Sequence, residues 1–356
     1  MDFFNFGKCK GDIPDMISFN HYITCIDAHT GGEPLRVITA GFPPIPGDTV
    51  LEKRDYVLEH YDNLRKMLML EPRGHSGMYG CIMTPPVTPD GDFGVLFTHN
   101  EGLSSMCGHG IIAVSKVVLE MGIVPASEGI NELKIDSPAG RIVAYANVEN
   151  GKVLKVWFHN VPCFVYKDNI SVEVDGVGAV IADIVYCGAF YVYIDAEKIG
   201  LKVDPDHAEE LVRRGMEIKR KVWAAEGELN HPTEKGITWL YGTIICDPVR
   251  REGKTLVSSN VCIFAEGQID RCPTGTGTGG RTALLVHKGI MRDGDLLINK
   301  SIIDTPFESK VLEHTMEGTY PAVMTEVSGT AFITGFNNLV LEPGDPLAEG
   351  FRICGY

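Results

Sequence analysis

Two stretches decide the fold of this chain: Met106-Cys107-Gly108-His109-Gly110 and Pro273-Thr274-Gly275-Thr276-Gly277-Thr278-Gly279-Gly280. Each runs into an apolar segment, residues 111–121 after the first and residues 281–290 after the second. A small polar side chain therefore precedes a glycine-rich turn that opens a hydrophobic helix. The free N–H groups at such a helix start attract an anion. The first turn carries the thiol of Cys107 and the second carries the hydroxyl of Thr274.

The rest of the chain repeats one order of predicted elements on either side of its midpoint. Alternating and β-branched apolar runs predict strands, and apolar residues at helical spacing predict helices. In the first half we predict strands at 19–26, 35–40, 79–84, 93–99, 133–135, 141–148 and 153–160, and helices within 48–67 and at 111–121. In the second half we predict strands at 172–185, 190–194, 236–245 and 255–263, helices at 207–226 and 281–288, and short strands from 296 onward.

This repetition predicts an α+β fold of two pseudo-symmetric α/β halves. A helix that is apolar on nearly every side is normally buried, so each half should wrap its strands around a central hydrophobic helix. We place the first half at 1–155, completed by the C-terminal tail 335–356, and the second half at 156–334. The active site is expected in the cleft between them.

Length and composition set the class of protein. A chain of 356 residues is too long for one small core and suits two domains. Its apolar fraction of 44% and charged fraction of 22% are those of an ordinary soluble globular protein. The formal net charge of -15 argues against nucleic-acid and membrane partners, because no basic field releases counterions. No apolar run reaches the ~20 residues that span a bilayer.

The ten cysteines are scattered, without a CxxC pair or the density of a disulfide scaffold. The first 15 residues match no targeting pattern, and together these features favour a reducing cytoplasm. His29, His75, His99 and His109 lack the usual ligand spacings, so we expect no metal site. No lysine has the context of a pyridoxal Schiff base, and we expect no cofactor.

Cys107 is the first candidate for chemistry. A thiol at a helix start is expected to have a lowered pKa, because the helix dipole and free N–H groups stabilise the thiolate. The alternative is an inert core cysteine, which is commoner for a cysteine taken alone. A Cys107–His109 hydrolase pair is disfavoured, because side chains so close at a helix start seldom point at each other. His109 is instead a candidate substrate contact.

The second turn has a formal GxGxxG pattern but lies late in the chain. A dinucleotide-binding turn should directly follow a strand in an early βαβ unit, so a small anion such as a carboxylate fits this turn better. Asp270 precedes the turn. It is either a capping residue of the loop or the partner of a substrate ammonium group.

Several separated motifs resemble those of the proline racemase family, in the same order and from about residue 17 onward. They are Asp27-Ala28-His29-Thr30-Gly31-Gly32-Glu33-Pro34, Glu71-Pro72-Arg73-Gly74-His75, Met78-Tyr79-Gly80, Met106-Cys107-Gly108-His109, Asp270-Arg271-Cys272-Pro273-Thr274-Gly275-Thr276-Gly277-Thr278, Ile333-Thr334-Gly335 and Gly344-Asp345-Pro346-Leu347. The resemblance implies a diaminopimelate-epimerase-like fold and cofactor-independent chemistry on an imino acid. It also implies that Cys107 is an acid/base and that His109 and Asp270 hold the ring nitrogen. The N–H groups implied to bind the carboxylate are those of Gly108, Gly275 and Thr276.

Thr274 distinguishes this sequence within the family. The resemblance implies a second cysteine at this position in the racemases and epimerases of the family. With threonine there, this chain resembles the dehydratase branch instead. A threonine hydroxyl is no base near neutral pH, so inversion by two bases should fail. We therefore expect dehydration of trans-3-hydroxy-L-proline to Δ1-pyrroline-2-carboxylate, with Cys107 removing the α-proton in a syn elimination. Thr274 is our candidate contact for the 3-hydroxyl.

Three alternatives stay open from the sequence. The first is that the protein is a 4-hydroxyproline 2-epimerase or proline racemase, and the second is that it is a non-catalytic imino-acid binding protein that kept the cleft. The third is that Cys272 acts as a displaced second thiol. This is disfavoured, because Cys272 lies two residues before Thr274 and a side chain at that spacing in a turn normally points elsewhere. A homodimer in the cytoplasm is a further expectation.

Overall fold

The computed structural model describes residues 19–234 and 236–353. Up to residue 159 the elements are β1 (His21–Thr30), β2 (Glu33–Ala40), α1 (Val50–His60), α2 (Asp62–Met69), β3 (Tyr79–Thr84), β4 (Phe93–His99), β5 (Leu103–Ser104), α3 (Gly108–Glu120), β6 (Gly129–Ser137), β7 (Gly140–Glu149) and β8 (Lys152–His159). The segment 1–15, Cys9 and Cys354 lie outside the described residues.

The remainder of the described chain adds thirteen strands and helices. They are β9 (Cys163–Val174), β10 (Gly178–Tyr186), β11 (Phe190–Asp195), α4 (Ala208–Glu226), β12 (Leu240–Cys246), β13 (Arg250–Glu252), β14 (Thr255–Phe264), β15 (Gln268–Ile269), α5 (Gly275–His287), β16 (Leu296–Lys300), β17 (Pro306–Glu317), β18 (Tyr320–Gly329) and β19 (Ala331–Leu341). Short 3₁₀ turns at Ala196–Ile199 and Pro205–His207 lead into α4.

All the strands join into one sheet, but their pairing forms two units. In the second half, β9 pairs with β10, and the order continues through β11, β12, β14, β16, β17 and β18 back to β9. In the first half, β19, β1, β2, β3, β4, β6, β7 and β8 follow one another. Pairing of β8 with β18 joins the two units.

Helix α3 is the centre of the first unit. Its residues from Gly108 to Leu119 are buried, and it packs against β1, β2, β7, β8 and β19. One polar side chain of α3 is paired within the core, because Lys116 Nζ donates to Glu120 Oε1 at 2.6 Å and to the Val153 carbonyl at 2.9 Å. The prediction of a central hydrophobic helix is confirmed for this half.

Helix α5 holds the same place in the second unit, packed against β9, β10, β17 and β18. Its predicted start at residue 281 is wrong, because the helix begins at Gly275. Glycine lowers helix propensity, which hides this start in the sequence. Close packing requires the glycines: a Cβ on Gly277 would lie 2.6 Å from Ile244 Cδ1, and one on Gly279 would lie 2.6 Å from Asn160 Nδ2.

Two strand predictions are also wrong in detail. The single strand expected at 172–185 is the end of β9 and most of β10, separated by a turn in which Gly176 and Gly178 have φ of 73° and 98°. The strands after residue 305 are long rather than short, since β17, β18 and β19 have 12, 10 and 11 residues. β17 and β18 pair with each other as a long hairpin, and β19 pairs along its length with β1 from the other end of the chain.

The chain crosses between the units near both predicted boundaries. Strand β19 pairs along its length with β1, so the end of the chain lies beside its beginning. Residue 155 falls inside β8 and residue 335 inside β19. The division at 155 and 335 stays a prediction.

Within the described residues, no helix is long and apolar enough to cross a membrane. In the same part of the chain, no three His, Cys, Asp or Glu side chains come together as a metal site. The described cysteines are all free thiols and all buried.

The fold predicts that adding a side chain at Gly108 lowers the stability of the protein. A Cβ there would lie 2.9 Å from Gly275 Cα and 3.0 Å from Phe158 Cζ, so Gly108→Ala must push the two central helices apart. We expect its free energy of unfolding in urea to fall by about 1–3 kcal/mol. Gly102→Ala is the control, since a Cβ at Gly102 meets no described atom within 4 Å. Equal stability of the two variants would contradict close contact between the helices.

Candidate active site

The N-termini of the two central helices meet end to end. Gly108 and Gly275 are each the first residue of a helix, and a Cβ on either would lie 2.9 Å from the Cα of the other. A cavity of about 240 Å³ opens beside this contact. All the predicted site residues line it: Cys107, Gly108, His109, Asp270, Thr274, Gly275 and Thr276. The structure thus brings together side chains from opposite halves of the chain.

Cys107 is the N-cap of α3, and its Sγ accepts a hydrogen bond from Gly110 N at 3.3 Å. The expectation of a lowered thiol pKa is wrong. Burial raises the pKa of the Cys107 thiol, because the 7% exposed side chain has little water to stabilise a thiolate. The Gly110 N–H and the Tyr79 hydroxyl act in the opposite direction, but with smaller effect.

His109 contacts the thiol directly. Its Nδ1 lies 3.1 Å from Cys107 Sγ, and its Nε2 lies 3.3 Å from the Pro34 carbonyl oxygen. The expectation that these side chains do not point at each other is wrong, because the N-cap side chain folds back over the first helical turn. Since Nε2 must donate to the carbonyl, Nδ1 is the acceptor of the thiol proton. Burial lowers the pKa of His109, and the negative charge of Asp270 opposes this effect.

Thr274 holds the equivalent place on α5 with different bonding. Its φ of 61° is in the left-handed region, which is rare for a β-branched residue, and its side chain makes no cap bond. Instead Oγ1 donates to Asp270 Oδ2 at 2.7 Å. Asp270 Oδ1 accepts from Cys272 N at 2.9 Å. The N–H groups that open α5 are therefore left free of a side-chain cap.

Cys272 does not reach the cavity. It is 0% exposed and packs in the core around α3, where its Sγ accepts from Thr274 N at 3.3 Å. A different thiol, that of Cys262 on β14, lines the cavity instead and lies close enough to the Thr274 hydroxyl to have its pKa affected. Burial raises the pKa of Cys262 well above its ordinary value. No sequence signal distinguished Cys262, because strand pairing alone brings it there.

Aromatic side chains form one wall of the cavity. Tyr241 packs edge-on against Tyr191, with ring centroids 5.4 Å apart, and stacks on Phe264 at 5.6 Å. Tyr191 also fixes the second turn, since its hydroxyl lies 3.0 Å from Thr276 Oγ1. A polar floor of helix starts with an aromatic wall suits a small, ring-shaped anionic ligand.

A profile of the proline racemase family matches residues 25–352. This chain belongs to the proline racemase family. The motif resemblance is therefore confirmed, and so is the diaminopimelate-epimerase-like α+β fold expected from it.

Relatives in the family carry several names. A protein named trans-3-hydroxy-L-proline dehydratase, from Bacillus thuringiensis subsp. konkukian, is 48% identical over 93% of this chain and 98% of its own. A 3-hydroxyproline 2-epimerase from Burkholderia multivorans is 42% identical over 93% of this chain and 98% of its own. Among solved structures, a hydroxyproline epimerase from Agrobacterium vitis with bound trans-4-OH-L-proline superposes with a TM-score of 0.83 at 26% identity, covering 94% of this chain and 96% of that one.

Glu33, which lies in the first of the family motifs, also lines the cavity, and the sequence-based prediction gave it no role. Glu33 is 3% exposed, and its Oε2 accepts from Arg271 N at 2.9 Å and from the Arg271 guanidinium at 3.3 Å. Burial and the neighbouring negative charge of Asp270 raise the pKa of Glu33 to about 8, and Arg271 limits the rise. Its place in a motif shared with the family was the one sequence signal that could have identified it as a site residue.

Glu33 makes folding stability depend on pH. Its pKa is raised in the folded state from 4.5 to about 8, so the unfolded chain releases this proton first. The contribution of the neutral Glu33 carboxyl to the free energy of unfolding is therefore complete below pH 4.5 and is lost as the pH rises towards 8. Glu33→Gln keeps the neutral form at every pH, and we expect its free energy of unfolding to vary less than that of the wild type in this window.

Urea unfolding at several pH values checks this expectation, with the exposed Glu313→Gln as the matched control. The difference between Glu33→Gln and wild type should change with pH, whereas the difference for Glu313→Gln should stay constant. Parallel pH profiles for all three proteins would contradict a protonated Glu33.

Proposed function

We propose that the protein is a trans-3-hydroxy-L-proline dehydratase, a hydro-lyase that forms Δ1-pyrroline-2-carboxylate without a cofactor. One observation carries the proposal: two helix N-termini face one cavity, one bearing the thiol of Cys107 and the other the hydroxyl of Thr274. The names of several relatives at 43–48% identity support it.

The substrate carboxylate binds at the junction of the helix starts. The N–H groups of Gly108, Gly275 and Thr276 have no intrahelical acceptor and lie at the positive ends of two helix dipoles. Loss of the α-proton moves negative charge onto the carboxylate oxygens, and preorganised N–H donors stabilise that charge. The junction therefore supports both binding and deprotonation.

Asp270 is the partner of the ring ammonium group. Its Oδ1 accepts a hydrogen bond from Cys272 N, and its Oδ2 accepts one from Thr274 Oγ1. Each oxygen keeps a second lone pair for the substrate. The family resemblance implied the same role for His109. Both nitrogens of that imidazole already have partners in the protein, so we assign His109 to the thiol instead.

Cys107 and His109 together form the base. The buried thiol holds its proton, and transfer of this proton to His109 Nδ1 across 3.1 Å yields a thiolate and an imidazolium. The negative charge of Asp270 favours the imidazolium. The thiolate then removes the α-proton of the bound imino acid.

Inversion needs a second base on the opposite face, and Thr274 supplies none. Its hydroxyl proton is donated to Asp270, and an alkoxide is inaccessible near neutral pH. Elimination needs only one face. In trans-3-hydroxy-L-proline the α-hydrogen and the hydroxyl share a face of the ring, so one side of the cavity can carry out a syn loss of water. The enamine then tautomerises to the pyrroline.

Incubation of the pure protein with trans-3-hydroxy-L-proline tests the proposal. We expect a pyrroline carboxylate product, and we expect Cys107→Ser to lower the rate by on the order of 10²–10⁴-fold, because serine is a poor base. Cys25→Ser, a buried thiol bonded to the Asn337 carbonyl outside the cavity, is the control and should keep wild-type activity. Near-normal turnover by Cys107→Ser would remove the thiol from the mechanism.

Assays in deuterium oxide separate the alternatives. Sustained inversion of L-proline or trans-4-hydroxyproline by the wild type would favour an epimerase or racemase. Calorimetric binding of the imino acid without any product would favour a non-catalytic binding protein. The homodimer and the cytoplasmic location stay predictions.

Thr274→Cys should add inversion to the activity. A thiol at this position faces the cavity from the α5 side, opposite Cys107, and supplies the missing second base. We expect the variant to epimerise 4-hydroxyproline at a rate above wild type, measured by chiral chromatography. Thr274→Ser, which keeps a hydroxyl, is the matched control and should gain nothing. Failure of Thr274→Cys to invert would mean that the two turns do not flank the α-carbon.

A further inference from the structure

Tyr79 is a phenol that contacts the reacting thiol. It begins β3, lines the cavity and is 5% exposed. Its ring stands edge-on to the His109 imidazole, with centroids 4.9 Å apart. Its hydroxyl is hydrogen-bonded to Ser104 Oγ and lies close enough to Cys107 to stabilise the thiolate. Tyr79 therefore stands beside the thiol at the start of a short chain of hydroxyl groups.

The stereochemistry of the proposed reaction places the leaving group on this side. The α-hydrogen of trans-3-hydroxy-L-proline points at the Cys107 thiolate, and the 3-hydroxyl shares its face of the ring. The departing oxygen is thus brought to the Cys107 side of the cavity, where Tyr79 and Ser104 lie. Thr274 belongs to the opposite wall and donates its proton to Asp270, so it is poorly placed to protonate this oxygen.

Hydroxide is a poor leaving group, so elimination requires a proton donor. We propose that Tyr79 is the general acid of the dehydration, protonating the departing 3-hydroxyl while Ser104 orients the phenol. This inference rests on the proposed dehydratase function and adds a catalytic residue to it. It also replaces Thr274 as the contact for the 3-hydroxyl.

The proton balance closes within the site. The thiolate takes the α-proton and becomes a thiol, while the electron pair of the C–H bond forms the Cα–C3 double bond and the C3–O bond breaks. Tyr79 gives its hydroxyl proton to the departing oxygen, which leaves as water. The new thiol proton passes to the phenol oxygen, restoring Tyr79 and the thiolate. Burial raises the pKa of Tyr79, so a free phenolate is unfavourable and the two transfers are concerted.

Tyr79→Phe tests the acid role, because it keeps the ring and removes only the hydroxyl. We expect pyrroline carboxylate formation to fall by on the order of 10²–10⁴-fold. Carbanion formation should persist, so substrate recovered from deuterium oxide should carry deuterium at the α-carbon. Wild type should eliminate water before this exchange accumulates. A merely structural role would lower elimination and exchange together.

Two further variants complete the experiment. Tyr145→Phe removes a phenol hydroxyl on β7, outside the cavity, and should leave the rate unchanged. Ser104→Ala, which keeps the phenol but removes its hydrogen-bond partner, should show a smaller loss with the same deuterium exchange; it serves if Tyr79→Phe fails to fold.

The possible failures are distinguishable. Wild-type protein that forms no pyrroline carboxylate overturns the dehydratase function and this inference with it. Active wild type with unimpaired Tyr79→Phe, or with a Tyr79→Phe that loses elimination and exchange equally, overturns only the acid role. If the serine variant must stand in, unimpaired elimination or an equal loss of both reactions overturns the role in the same way.

Discussion

The backbone contact between Gly108 and Gly275 is the constraint on which the rest of the structure depends. Two helices that are buried in different units can approach this closely only because neither carries a Cβ at the contact. The approach aims the N–H groups of both helix starts at one point, where we propose that the substrate carboxylate binds. The thiol of Cys107 and the hydroxyl of Thr274 are then placed around the same cavity by their positions as N-caps.

Burial at this junction governs the electrostatics of the site. The low exposure that strengthens hydrogen bonds also penalises every charged form, so it raises the pKa of Cys107 and Glu33 and lowers that of His109. In the mechanism that we propose, the thiolate forms through a partner that accepts the thiol proton. That partner is His109, whose Nδ1 lies 3.1 Å from Cys107 Sγ, and the negative charge of Asp270 favours the imidazolium. The hydrogen bonds from Gly110 N and the Tyr79 hydroxyl do not outweigh the effect of burial on the pKa of the thiol.

Much of the architecture was predictable because hydrophobic periodicity and turn residues are local signals. The strands at Tyr79–Thr84 and Phe93–His99 have the predicted bounds, and the helices predicted within 48–67 are present as α1 and α2, although α2 continues to Met69. The start of α5 was not predictable from propensity, since its glycines satisfy packing against Ile244 and Asn160, which are distant in sequence. The position of Cys262 at the cavity was not predictable either, because it depends on how the strands pair and not on a local sequence signal.

The sequence by itself determined the repeat, the family and seven of the residues that line the cavity, because these are recorded in motif order and composition. Only the tertiary structure decided how those residues act on one another. It paired His109 with the thiol, committed the Thr274 proton to Asp270 and kept Cys272 in the core. The physical reason is that hydrogen-bond partners and the cost of burying charge depend on distances between segments, which a linear pattern does not contain.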